Sequence, residues 1–76
     1  MTLTHIVKSN GKHYLVDSCY TWDCGYETMV FRCDSKGNVK NWRDLFSEHY
    51  QSESEMQQGH MKIVTYIKTG RMTFND

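Results

Sequence analysis

The sequence predicts an α+β fold: an antiparallel meander sheet of three or four strands with one C-terminal helix packed across a face. Three observations carry that prediction. The stretch Tyr26 to Cys33 reads as the central strand, because Met29, Phe31 and Cys33 alternate with Thr28, Val30 and Arg32, the period of two of a strand with one face on a core. Asn10-Gly11 lies between two strand-like runs and supplies the two positive φ angles of a type I′ hairpin turn. Met56, His60, Ile63, Val64 and Ile67 recur at helical spacing and form one stripe, with Gln57, Gln58, Lys62 and Lys68 facing away.

Taken in order, Leu3 to Lys8 and His13 to Cys19 pair across the first turn, setting Val7 opposite Tyr14 and His5 opposite Val16. Ile6 opposite Leu15 and Lys8 opposite His13 fall on the other face. The cluster Leu3, Val7, Tyr14 and Val16 is the expected core side. Tyr20 to Gly25 connects this hairpin to the central strand, with Gly25 supplying the turn and Trp22 fitting neither strand pattern. After the turn Asp34 to Asn38, Val39 to Trp42 is read as a short fourth strand, and Arg43 to Tyr50 as irregular or one helical turn.

Ser52 and Glu55 have capping-box spacing, and Gly70 suits the left-handed residue that ends a helix. The expected division of a single domain is therefore sheet hairpins over 1–42, irregular chain over 43–51, helix over 52–69 and a tail over 70–76. The helix is expected to pack on Met29 and Phe31. Gly59 inside it signals close approach by another backbone, and Met72 and Phe74 alternate as a possible edge strand in the tail.

The chain has 76 residues, nine basic and nine acidic side chains, 38 % hydrophobic content and a mean hydropathy of −0.72. Balanced charge supplies no field to draw the chain onto nucleic acid or an anionic membrane, so neither is an expected direct partner. No apolar run approaches the ~20 residues of a spanning helix and the polar start lacks a signal-peptide core, which makes a cytoplasmic location the expectation.

Cys19, Cys24 and Cys33 are read as reduced thiols; their spacing departs from zinc knuckles, and no metal or cofactor is expected. Nothing sets His5, His13, His49 or His60 beside a thiol, so no catalytic residue and no enzymatic activity is expected. His60, on the apolar stripe, reads as a core histidine with one ring nitrogen hydrogen-bonded. Asp44, Glu48, Glu53 and Glu55 make a solvated helix entrance matched to the helix dipole.

Glu27-Thr28-Met29-Val30-Phe31, the turn with Gly37, Tyr50 before the cap, and Gly59-His60 followed by Ile63-Val64 together resemble a pattern in small uncharacterised bacteriophage and prophage proteins, over residues 26–68. That resemblance brings no assigned activity. It implies an accessory factor, located in the host cytoplasm, that binds and blocks a bacterial host protein; anti-defence inhibitors such as anti-CRISPR proteins are its sharpest form.

The expected partner-binding residues are Tyr20, Trp22, Asp23, Tyr26, Trp42 and Arg43, residue types that anchor protein interfaces. The alternative is a small-ligand binder or sponge that sequesters a nucleotide signal at an oligomer interface by stacking and phosphate contacts. A homodimer through an edge strand or the outer side of the helix, Tyr66 included, is also expected, since a chain this small has little core.

Overall fold

In the computed structural model, which describes residues 2–75, Asn10 and Gly11 take φ angles of 51° and 75°. These are the angles that a two-residue hairpin turn demands. They join β1 (Thr2–Ser9) to β2 (Lys12–Thr21), and the register is the one the turn predicts, with Val7 opposite Tyr14, His5 opposite Val16 and Ile6 opposite Leu15. A tight turn at Trp22, Asp23 and Cys24 leads into β3 (Gly25–Cys33), which pairs in turn with β4 (Phe46–Tyr50). The result is one four-stranded antiparallel meander in the order β1-β2-β3-β4, followed by a single helix, α1 (Glu53–Lys68).

The helix forms where its sequence signals place it. Ser52 Oγ accepts the Glu55 N–H at 3.2 Å, and Glu55 Oε2 reaches back to accept the Gln51 N–H at 2.9 Å. At the other end Gly70 adopts φ 79° and donates to the Ile67 carbonyl. All five stripe residues are buried, and Ile63, Val64 and Ile67 close on Val7, Tyr14, Val16 and Val30.

That packing corrects the predicted helix side of β3. The helix lies over the face carrying Thr28 and Val30, not over Met29 and Phe31. Val16 stands opposite Val30 in the sheet, so the hairpin's core side and the Met29/Phe31 side of β3 are opposite faces. Met29, Phe31 and Cys33 read as core-facing because the far face is also partly covered. Trp42 meets Phe31 edge-on with ring centroids 5.1 Å apart, Val39 bridges to Cys33, and Gly37 packs against the Ile6 side chain. Beyond this cover the far face is closed by polar pairs, Thr4 donating to Asp17 at 3.0 Å and His49 meeting Glu27 at 2.8 Å.

The fourth strand is a second correction. It is Phe46–Tyr50, inside the stretch expected to be irregular, while Val39 makes one isolated bridge and no strand follows it to Trp42. Leu45 N–H donates to Val30 O at 2.7 Å and starts the pairing. A five-residue edge strand with Glu48 at its centre carries no clean apolar alternation, so β3 supplies the information that its own sequence lacks.

Among the described residues the tail forms no edge strand. Met72 and Phe74 fold back onto the core, with the Phe74 ring 5.3 Å from that of Tyr14. No helix among the described residues is long and apolar enough to cross a membrane.

Candidate binding surface

At one end of the sheet the β2–β3 turn projects Trp22, whose side chain is 89 % exposed. Gly25, at φ 74°, and a hydrogen bond from the Cys24 N–H to Thr21 Oγ1 at 3.2 Å fix the turn below it. Tyr20 and Tyr26 face each other across the strand pair with ring centroids 4.7 Å apart, and Tyr26 stands opposite Tyr50. Three tyrosines thus cross the sheet in one row beneath the tryptophan.

Tyr50 closes that row against the helix. A side chain at Gly59 would overlap the Tyr50 ring, so the glycine expected to admit a backbone admits an aromatic ring instead. The Tyr50 hydroxyl is buried without a partner in hydrogen-bond geometry, and burial pushes its pKa up to about 12.

Of the six residues expected to bind a partner, Tyr20, Trp22, Asp23 and Tyr26 share this end of the hairpin. Trp42 and Arg43 belong to the β3–β4 connection. Trp42, 69 % exposed, rests on Phe31, six positions from Gly25, or about 20 Å along the strand at ~3.3 Å per residue. The structure therefore does not bring the two groups into one patch.

Between helix and sheet runs a polar chain that the sequence reading assigned only in part. His60 Nδ1 lies 2.6 Å from Ser18 Oγ, Ser18 Oγ lies 2.5 Å from Thr28 Oγ1, and His60 Nε2 lies 2.7 Å from His5 Nδ1. Both His60 nitrogens are engaged, not one. Ser18, Thr28 and His60 are fully buried while His5 is exposed at the edge of the sheet, so the chain links core to surface. Burial first, and the neighbouring His5 second, hold the His60 pKa below its ordinary value, although Asp17 pulls the other way.

A serine oxygen on a histidine nitrogen has the form of a nucleophile and its base, but this pair has no access to a substrate. Its physical role is to satisfy hydroxyls that the core would otherwise strand. The signal for it is the inward series Tyr14, Val16, Ser18, whose last member has a hydroxyl opposite Thr28.

Cys19, Cys24 and Cys33 are free thiols, and burial raises the pKa of Cys19 and of Cys33. Among the described residues no three His, Cys, Asp or Glu side chains are grouped to hold a metal ion. A separate hollow of about 400 Å³ beside the β3–β4 connection is lined by His13, Arg32, Asp34 and Lys40 among others. No protein-family model matches the chain, and neither a characterised protein nor a solved structure is significantly similar to it.

Proposed function

We propose that this chain is a non-enzymatic binding protein that engages its partner through the β2–β3 hairpin tip, with Trp22 as the anchor and Tyr20, Asp23 and Tyr26 around it. The exposure of Trp22 carries the reading: a turn tied by the Cys24–Thr21 hydrogen bond holds a large aromatic ring in solvent, where it buries little in its own fold. Tryptophan and tyrosine dominate the energetics of protein interfaces because they bring area at small entropic cost. The partner class, a bacterial protein and in particular a defence component such as CRISPR-Cas that the chain inhibits, follows from the phage resemblance.

The test is affinity capture from bacterial lysate with the wild type and with Trp22→Ala, both checked for folding. A protein recovered by the wild type and lost with Trp22→Ala supports the hairpin tip; equal recovery by both removes it. The second reading, a nucleotide sponge, would draw on the hollow where His13, Arg32 and Lys40 could meet phosphate. It predicts a rise in melting temperature with cyclic or linear nucleotides, and a flat response across the panel rejects it.

A further inference from the structure

We propose that the outer edge of β1 pairs with the same edge of a second copy of this chain, antiparallel and about a two-fold axis, so that the two sheets become one. The hairpin geometry makes this edge available. In a two-residue hairpin Ser9 and Lys12 form the hydrogen-bonded pair that closes the turn, and bonding then alternates along the ladder. Leu3, His5, Val7 and Ser9 therefore direct their backbone groups at β2, while Thr2, Thr4, Ile6 and Lys8 direct theirs outward.

Natural sheets blunt exposed edges with prolines, bulges, short length or several charges. β1 has few of these devices. Its register with β2 is unbroken from Thr2 to Ser9, and TLTHIVKS contains no proline and one lysine. The other edge strand, β4, has five residues.

A second copy fits because the edge complements itself. For both helices to stay on the same side, even-numbered residues of one β1 must face even-numbered residues of the other. The register with Ile6 on the axis satisfies this, sets Ile6, 46 % exposed, against its own copy, and brings Val7 of the second copy beside His5. It also sets Lys8 of the second copy beside Thr4, whose hydroxyl donates to Asp17. The lysine's four-carbon stem carries its ammonium across Thr4 toward the Asp17 carboxylate, and symmetry repeats the contact. On the helix side His60 touches His5 of the same strand, and Met61, the next residue of the helix, is 47 % exposed. Pairing over Leu3 to Ser9 alone falls at the small end of stable interfaces, so the dimer dissociates on dilution.

The experiment is light scattering across a hundredfold dilution of the wild type, together with amide hydrogen exchange read residue by residue at both ends of the series. The expected mass is twice 9.0 kDa when concentrated and falls toward 9.0 kDa when dilute. The Thr4 and Ile6 amides should exchange about tenfold more slowly in the concentrated sample. Ile6→Lys, which sets two ammonium groups on the axis, should stay monomeric. A mass of 9.0 kDa at every concentration overturns the proposal, as does a doubled mass with Thr4 and Ile6 unprotected, or a folded Ile6→Lys that remains dimeric. Should Ile6→Lys fail to fold, the wild-type exchange decides the question by itself.

Discussion

Acidification offers a direct perturbation of the buried polar chain, read as the difference between the wild type and His60→Leu. In the folded protein the His60 pKa is held below 6.5, its ordinary value. Above that value both folded and unfolded chains carry a neutral ring, and the contribution of His60 to stability is complete. As pH falls through 6.5 the unfolded chain takes up a proton that the folded core refuses, so stability drops until the lowered folded pKa is reached.

The ceiling on that loss is about 1.4 kcal/mol per pH unit for one proton, or at most about 2 kcal/mol between pH 6.5 and pH 5. His60→Leu removes one of the two partners of the buried Ser18 hydroxyl, Thr28 being the other, and should cost about 1 kcal/mol at pH 7.5. Urea unfolding followed by circular dichroism, at half-unit steps from pH 7.5 to pH 5, measures both quantities. The stability advantage of the wild type should shrink steadily below pH 6.5. Parallel curves for the two proteins over the whole range would refute the account of His60 as a buried neutral ring.

Three further outcomes follow from the packing. Gly59→Ala gains about 1 kcal/mol of helix propensity but drives a methyl group into the Tyr50 ring, an overpacking cost of roughly 1–3 kcal/mol, so a net loss of about 1 kcal/mol is expected. A melting temperature at or above wild type would show that the ring moves aside freely. Ile63→Asp places an unpaired charge among Val7, Val16 and Val30 and should cost several kcal/mol in urea unfolding; an unchanged midpoint would exclude the helix packing described. Trp22→Ala should leave the thermal midpoint equivalent to a change within about 0.5 kcal/mol, and a larger fall would mean that the indole packs on its own fold.

Local chemistry made some of this structure legible in advance and left other parts hidden. Asn10-Gly11 dictates both a turn and, through it, every pairing between β1 and β2. Ser52 and the stripe from Met56 to Ile67 likewise define the helix by rules that act within a few turns. The sidedness of β3 was not legible, because Phe31 and Val30 are both buried, one under the connection and one under the helix, and a period of two cannot say which cover is which. β4 was missed because Ser47, Glu48 and His49 have no strand signature of their own.

The candidate surface divides along the same line. Tyr20, Trp22 and Tyr26 belong together because a short turn leaves them no choice. Trp42 and Arg43 do not, since the path of a twelve-residue connection between β3 and β4 is decided by what it covers. The joining of His60 to Ser18 and Thr28 depends on the helix's placement over the sheet, which no single segment encodes.

The His5–His60 contact spans 55 positions and joins the first strand to the last element of the fold. The strand pairs close short loops between neighbours in sequence, and such contacts form early because little chain entropy is lost in making them. The helix follows all four strands in the order of synthesis. Until residues near Ile67 leave the ribosome, Val7, Val16 and Val30 have no cover and Ser18 and Thr28 lack their histidine. A nascent sheet in that state presents an apolar face beside an open β1 edge, the surface that chaperones engage and that aggregation exploits. The cell therefore meets this chain at its most vulnerable in the interval between completing β4 and releasing α1.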